Sequence, residues 1–308
     1  MNKKQTPISD KIALSNLEAL LRIPLIKRRG LIGISSIMAK RPVKFKPQKG
    51  NVFYSPDIPG VKTDVIERES SHHQRIVLYF HSGGFYSSST DTHREIGEMF
   101  LKYSSADTVA VCDYSTAPDF KFPAAHNDAF NLLKHFRSEP EFCHSKVITA
   151  GDSSGGNLAL ACAVMAKERE VLPPDGCVLM SPWLDFTRSG KSYHDNFNSD
   201  PMFGYMCTPR DKELLTLYAD GCDKSDPLLS PVFADLSGLS PILIQTCNNE
   251  MLLDDAKLLK EKADKFGVDA TLKIYDGMFH SFQTISPNAA TSKSAWSDAG
   301  AFIDKIFN

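Results

Sequence analysis

From residue 75 onward the chain alternates two apolar patterns. Short runs rich in β-branched and aromatic residues are bounded by turn residues and predict buried strands. They are RIVLYF (75–80), TVAVCD (108–113), KVITA (146–150), CVLMS (177–181), ILIQT (242–246) and ATLKIY (270–275). Between them, apolar positions at helical spacing predict helices near 93–103, 124–138, 155–168, 251–266 and 290–307. Strands alternating with helices imply a mostly parallel sheet covered on both faces, an α/β architecture. Residues 52–68 read as earlier antiparallel edge strands.

Two stretches break this rhythm. Residues 11–40 are amphipathic, with Leu14, Leu17, Leu20 and Leu21 at helical spacing and breaks at Pro24 and Gly30. They predict a helical segment packed on the main body, with a basic membrane-surface helix as the alternative. About 60 residues separate the strands at 177–181 and 242–246, more than a crossover needs, which predicts an inserted cap. The expected division is an N-terminal cap segment (1–50), a first core part (51–184), a cap insertion (185–225) and a second core part (226–308).

Composition narrows the partners. The 308 residues carry a net charge of −2, which gives no overall field to draw nucleic acid or anionic lipid. No stretch approaches the ~18 apolar residues of a membrane span, so no stable membrane insertion is expected. The basic start is not followed by an apolar segment of signal-peptide type. Seven cysteines without a CxxC pair point to a reducing compartment, the cytoplasm.

The candidate chemistry sits in GDSSGG (151–156). Gly151-Asp152-Ser153-Ser154-Gly155 fits G-x-S-x-G, with a strand before it and a helix after it. That context makes Ser153 a nucleophile at a tight strand-to-helix turn. Ser154, one residue off centre, is expected to supply its backbone amide rather than its hydroxyl to an oxyanion. A phosphate-binding loop is excluded, because Asn157 stands where that motif needs lysine.

A serine hydroxyl needs a base and an acid that orients it. Only His194 and His280 follow Ser153; His194 falls in the cap, and His280 follows the last strand at the same sheet edge. His280 is therefore the expected base. The acid should follow the strand ILIQT, where Glu250, Asp254 and Asp255 compete. Glu250 is favoured because it lies in the loop, whereas the aspartates fall in a helix's first turn and suit its dipole. Asp276 fits the turn before His280. In HSGGFY (81–86), Gly83 and Gly84 are expected to turn their amides toward the oxyanion, and His81 to order the loop. No metal-ligand spacing occurs, so no metal or cofactor is expected.

These blocks resemble the hormone-sensitive-lipase-like family of α/β-hydrolase esterases. HSGGFY is similar to its HGGG loop, CDYSTAPDFKFPAAHNDA to its DYRLAPE–FPA–DA segment, and GDSSGG to its GDSAGG elbow. SPWLDFT, SPVFADLSGLSPILIQTCNNEMLLDDA and DGMFHSF follow in the family's order, so the resemblance spans roughly residues 75–305. It departs at Ser82 for the first loop glycine, at EMLLDD for DPLxDE, and at Ser115 and Thr116, where an Arg-Leu pair and its salt bridge are lost. The resemblance implies an α/β-hydrolase fold with a helical cap and a small-molecule ester substrate with a short to medium acyl chain. It also implies an acyl pocket lined by residues such as Phe85, Tyr86, Trp183, Met202, Phe203, Tyr205 and Met206. Deacetylase, lactonase and transacylase chemistry use the same triad. A non-catalytic binding module lacks the histidine that this chain keeps at position 280. A homodimer is left open.

Overall fold

The computed structural model describes residues 6–204 and 207–308. Three helices lead: α1 (Ile8–Leu21), α2 (Pro24–Arg29) and α3 (Leu31–Ala39). Pro24 at the first turn of α2 and the left-handed Gly30 after it make the two breaks. The first two strands, β1 (Asn51–Tyr54) and β2 (Lys62–Arg68), are antiparallel.

The alternating region then runs β3 (Arg75–Phe80), α4 (Asp91–Tyr103), β4 (Thr108–Asp113), α5 (Ala124–Ser138), β5 (Lys146–Asp152), α6 (Ser154–Glu168) and β6 (Gly176–Met180). Two short helices follow, α7 (Ser192–Asp195) and α8 (Pro209–Leu217). The chain closes with β7 (Ile242–Cys247), α9 (Leu253–Lys265), β8 (Ala270–Tyr275), α10 (Phe282–Ile285) and α11 (Ala290–Phe307). Among the described residues no helix is long and apolar enough to cross a membrane.

The eight strands order as β1-β2-β4-β3-β5-β6-β7-β8, antiparallel only where β2 meets β1 and β4. The central strands β3 to β7 are almost wholly buried because helices cover both faces. On one face α4 and α11 supply Phe100 and Trp296, which meet edge to face at 5.0 Å. On the other, α5, α6 and α9 pack Leu133, Leu158 and Leu259. β8 differs from its expected burial: as an edge strand it exposes Thr271, Lys273 and Ile274.

The N-terminal helices are fastened at both ends. Asp10 of α1 is buried and accepts hydrogen bonds from Thr291 N (3.2 Å) and Oγ1 (2.6 Å). Asp211 of α8 accepts the Ile32 amide (3.1 Å), filling the cap position that Gly30 leaves open on α3.

Candidate active site

The parallel strands end together, and their carboxyl edge gathers residues from four distant stretches. Ser153 sits between β5 and α6 at φ 55° and ψ −118°, a region hostile to a residue with a Cβ. Its neighbours hold it there: Ser153 N donates to Met180 O (3.0 Å), and Ser153 O accepts from Trp183 N (3.1 Å). The turn needs glycine beside it, because a Cβ at Gly155 would run into the Phe80 carbonyl.

Asp152, next door, is fully buried. Its Oδ1 accepts from Tyr79 Oη (2.7 Å) and Ser82 N (3.1 Å), and its Oδ2 from Thr284 Oγ1 (3.0 Å). One carboxylate thus ties β3, the glycine loop and the helix after His280 to the elbow.

His280 and Glu250 are both buried, with His280 Nδ1 at 3.0 Å from Glu250 Oε2. A carboxylate only accepts, so Nδ1 carries the proton and Nε2 is left as a base. Glu250 Oε1 is held by Ser181 Oγ (2.7 Å) and Cys247 N (2.9 Å). Ser181, itself at φ 44°, also accepts the Ser281 amide at 3.1 Å. Phe203 stands edge-on to the His280 ring at 4.4 Å. Among the described residues no hydrogen bond joins Ser153 to His280, and such contacts commonly tighten only when substrate binds.

The competing carboxylates point elsewhere. Asp254 Oδ2 accepts from Ser192 N (2.9 Å), and Asp255 Oδ2 from Leu184 N (2.9 Å), Asp185 N (3.0 Å) and Tyr193 Oη (3.1 Å). Burial pushes the Asp255 carboxyl well above its ordinary range. Both organise the segment after β6. Asp276 accepts from the Asn248 side chain, and His194 is exposed beside Asp195.

The glycine loop departs from expectation. Gly83 and Gly84 take positive φ, 129° and 63°, but the Gly84 amide donates to Ser154 Oγ at 3.0 Å. Tyr114 Oη lies 3.3 Å from the same oxygen and donates to His81 O (2.8 Å). Tyr114 has one proton, so the direction is fixed: Gly84 N–H to Ser154 O–H to Tyr114 O–H to the His81 carbonyl. Ser154 therefore uses its hydroxyl as well as its place at the start of α6. The amides of Gly83 and Ser154 have no hydrogen-bond partner among the described residues. His81 stacks on Tyr114 (4.3 Å) and His93 (4.6 Å), and burial lowers its pKa.

Trp183 and Phe203 line a cavity of about 300 Å³ with Tyr193, Phe197, Leu215 and Met251. Phe85 does not line this cavity as expected: it is wholly buried, at positive φ, and stacked on Tyr218 at 4.4 Å. Tyr86 packs half-buried against that core, and Met202 joins Leu17, Leu21 and Phe279 under α1. Neither lines the cavity. Tyr205 and Met206 lie outside the described residues. No group of three or more His, Cys, Asp or Glu that could hold a metal occurs among the described residues.

A family model described as the alpha/beta hydrolase fold matches residues 77–284. The chain belongs to that family. An esterase of Acinetobacter venetianus is 32% identical to this α/β-hydrolase over 275 residues, 87% of this chain and 89% of the relative. An acetyl-hydrolase of Streptomyces hygroscopicus is 31% identical over 232 residues, 74% of this chain and 75% of the relative. The crystal structure of an esterase from the bacterial hormone-sensitive lipase family superposes with a TM-score of 0.84 at 28% identity. It covers 96% of this chain and 99% of that one.

Sequence reasoning missed three residues that the α/β-hydrolase uses to set its site. Ser181 braces Glu250, and Tyr114 closes the chain of hydroxyls behind the glycine loop. Asp200 is buried and accepts amides of Met202 (2.8 Å), Phe203 (3.0 Å) and Met251 (2.8 Å), joining the Phe203 turn to the Glu250 loop. Burial raises its pKa. Ser181 and Tyr114 fall inside the blocks SPWLDFT and CDYSTAPDFKFPAAHNDA, and Asp200 in none, but a motif does not say what a side chain meets, and these three act through partners 33 to 69 residues away.

Proposed function

We propose that this α/β-hydrolase is a serine carboxylesterase in which Ser153, His280 and Glu250 form the catalytic triad. The observation that carries the reading is the 3.0 Å contact of His280 Nδ1 with Glu250 at the sheet edge where Ser153 is held in a strained turn. Ser153 Oγ attacks the ester carbonyl while His280 Nε2 takes its proton, and Glu250 stabilises the imidazolium. The free amides of Gly83 and Ser154 are the primary donors to the oxyanion, with Gly84 behind them on the Ser154 hydroxyl. Each such donor is worth about 10²–10³ in turnover. His280 then protonates the leaving alcohol, activates water and releases the acid. No metal or organic cofactor takes part in these steps.

The cavity beside Trp183 and Phe203 is lined by none of Ser153, Glu250 and His280 and adjoins the site through Phe203, whose ring meets His280; at about 300 Å³ it is at the small end of ligand pockets, which run from ~300 to 1,000 Å³. That supports short to medium acyl chains and also an acetyl-ester substrate, the second reading. Seven free thiols support the cytoplasm as the compartment. Turnover of p-nitrophenyl esters across a chain-length series tests the proposal, with Ser153→Ala as control. Wild-type rates falling with chain length are expected, and rates equal to the control on every ester would overturn it.

A further inference from the structure

The net charge of −2 hides a segregation. Residues 1–49 carry twelve Lys and Arg against two Asp and Glu, while the remaining 259 carry twenty-three against thirty-five. One of the two acids, Asp10, is buried on Thr291. Lys27, Arg28 and Arg29 of α2 are exposed and form no salt bridge among the described residues.

The same segment holds half of the large exposed hydrophobic side chains among the described residues. Ile8 is 77% exposed and Ile12 54%, one turn apart and opposite the buried Ala13, Leu17 and Leu21. Leu25 is 51% exposed in the same two-turn helix as the three basic residues, and Ile37 and Met38 are exposed on α3. α2 packs against both α1 and α3, so these groups lie on adjoining helices. Apolar side chains flanked by unpaired cations match the boundary of an anionic bilayer, where aliphatic groups enter the acyl layer and cations meet headgroups. Nucleic acid fits less well, since aromatic stacking groups are missing from the exposed set between residues 8 and 43.

We propose that α1–α3 form a peripheral docking surface for an anionic lipid bilayer. Docking does not depend on the triad, so its failure is distinguishable from failure of the esterase reading.

The full chain is co-sedimented with phosphatidylcholine vesicles, with and without about 30 mol % phosphatidylglycerol, at low and high salt. Binding to the anionic vesicles is expected, weakened by salt. Lys27→Gln/Arg28→Gln/Arg29→Gln should bind about 100-fold more weakly, at roughly fivefold per charge near the surface. Ile12→Ser/Leu25→Ser should lose binding at both salt concentrations, and Ser153→Ala should bind like wild type. Thermal melts matching wild type establish that the surface variants are folded. Equal binding to both vesicle types, or a triple variant bound like wild type, overturns the proposal. So does a dimer broken by Ile12→Ser/Leu25→Ser without any vesicle binding, which would make a second copy the occupant.

Discussion

Replacing Glu250 by glutamine keeps its shape and removes its charge, and the structure dictates how the amide must sit. Glu250 Oε1 receives Ser181 Oγ at 2.7 Å and Cys247 N at 2.9 Å. Placing the new NH₂ there would set donors against donors in a buried site, at about 1–3 kcal/mol for each orphaned group. The oxygen therefore stays, and the NH₂ faces His280 Nδ1. That nitrogen must now accept, so the ring proton moves to Nε2, the atom that has to take the proton from Ser153. A triad locked in the wrong tautomer loses on the order of 10⁴ in kcat, about 5.4 kcal/mol of transition-state stabilisation. Steady-state kinetics on p-nitrophenyl butyrate should show this loss in kcat with KM changed only slightly. Asp254→Asn and Asp255→Asn serve as controls; the first should leave kcat within about tenfold, since Asp254 binds Ser192 and not His280. Glu250→Gln retaining activity within tenfold of wild type, or Asp254→Asn losing as much as Glu250→Gln does, would refute the assignment.

Two further outcomes follow from the buried polar groups. Ser154→Ala keeps the backbone amide but leaves the Gly84 N–H unpaired, so stability should fall by about 1–3 kcal/mol in thermal melts. Its kcat should stay within about tenfold, and a thousandfold loss with an unchanged melt would mean that the hydroxyl itself acts on substrate. Burial holds His126 at a pKa of about 4, against 6.5 for a free histidine, with its ring between Asn157 and Tyr218. The native state thus binds this proton less readily than the unfolded chain. The contribution of His126 to stability is complete above pH 6.5 and falls as pH drops toward 4, by about 3 kcal/mol. Urea melts at pH 7.5 and 4.5 should show a steeper loss for wild type than for His126→Gln, and equal slopes would count against the burial account.

The sheet was legible because its strands are buried on both faces, so RIVLYF or TVAVCD reads as continuous apolar sequence. ATLKIY reads the same way, yet as an edge strand it shows half its residues to solvent, a consequence of strand order that no local pattern carries. Glu250 could be favoured from its loop position, but only the partners of Asp254 and Asp255 separate the three carboxylates in space. A motif fixes where a backbone turns, not where side chains go. GDSSGG therefore said nothing of the Ser154 hydroxyl reaching Gly84, and HSGGFY said nothing of Phe85 turning inward. Whole-chain charge averaged away the basic N-terminal region, because an acidic body nearly cancels it.

Asp152 has a consequence for how the site tolerates motion. Its two oxygens fix the glycine loop through Ser82 and the far side of His280 through Thr284, while its own backbone precedes Ser153. The proposed nucleophile, oxyanion loop and base are thus surveyed from one benchmark. On the proposed mechanism a shift of the elbow would therefore act on all three at once, because the loop and the segment after His280 hang on the same carboxylate.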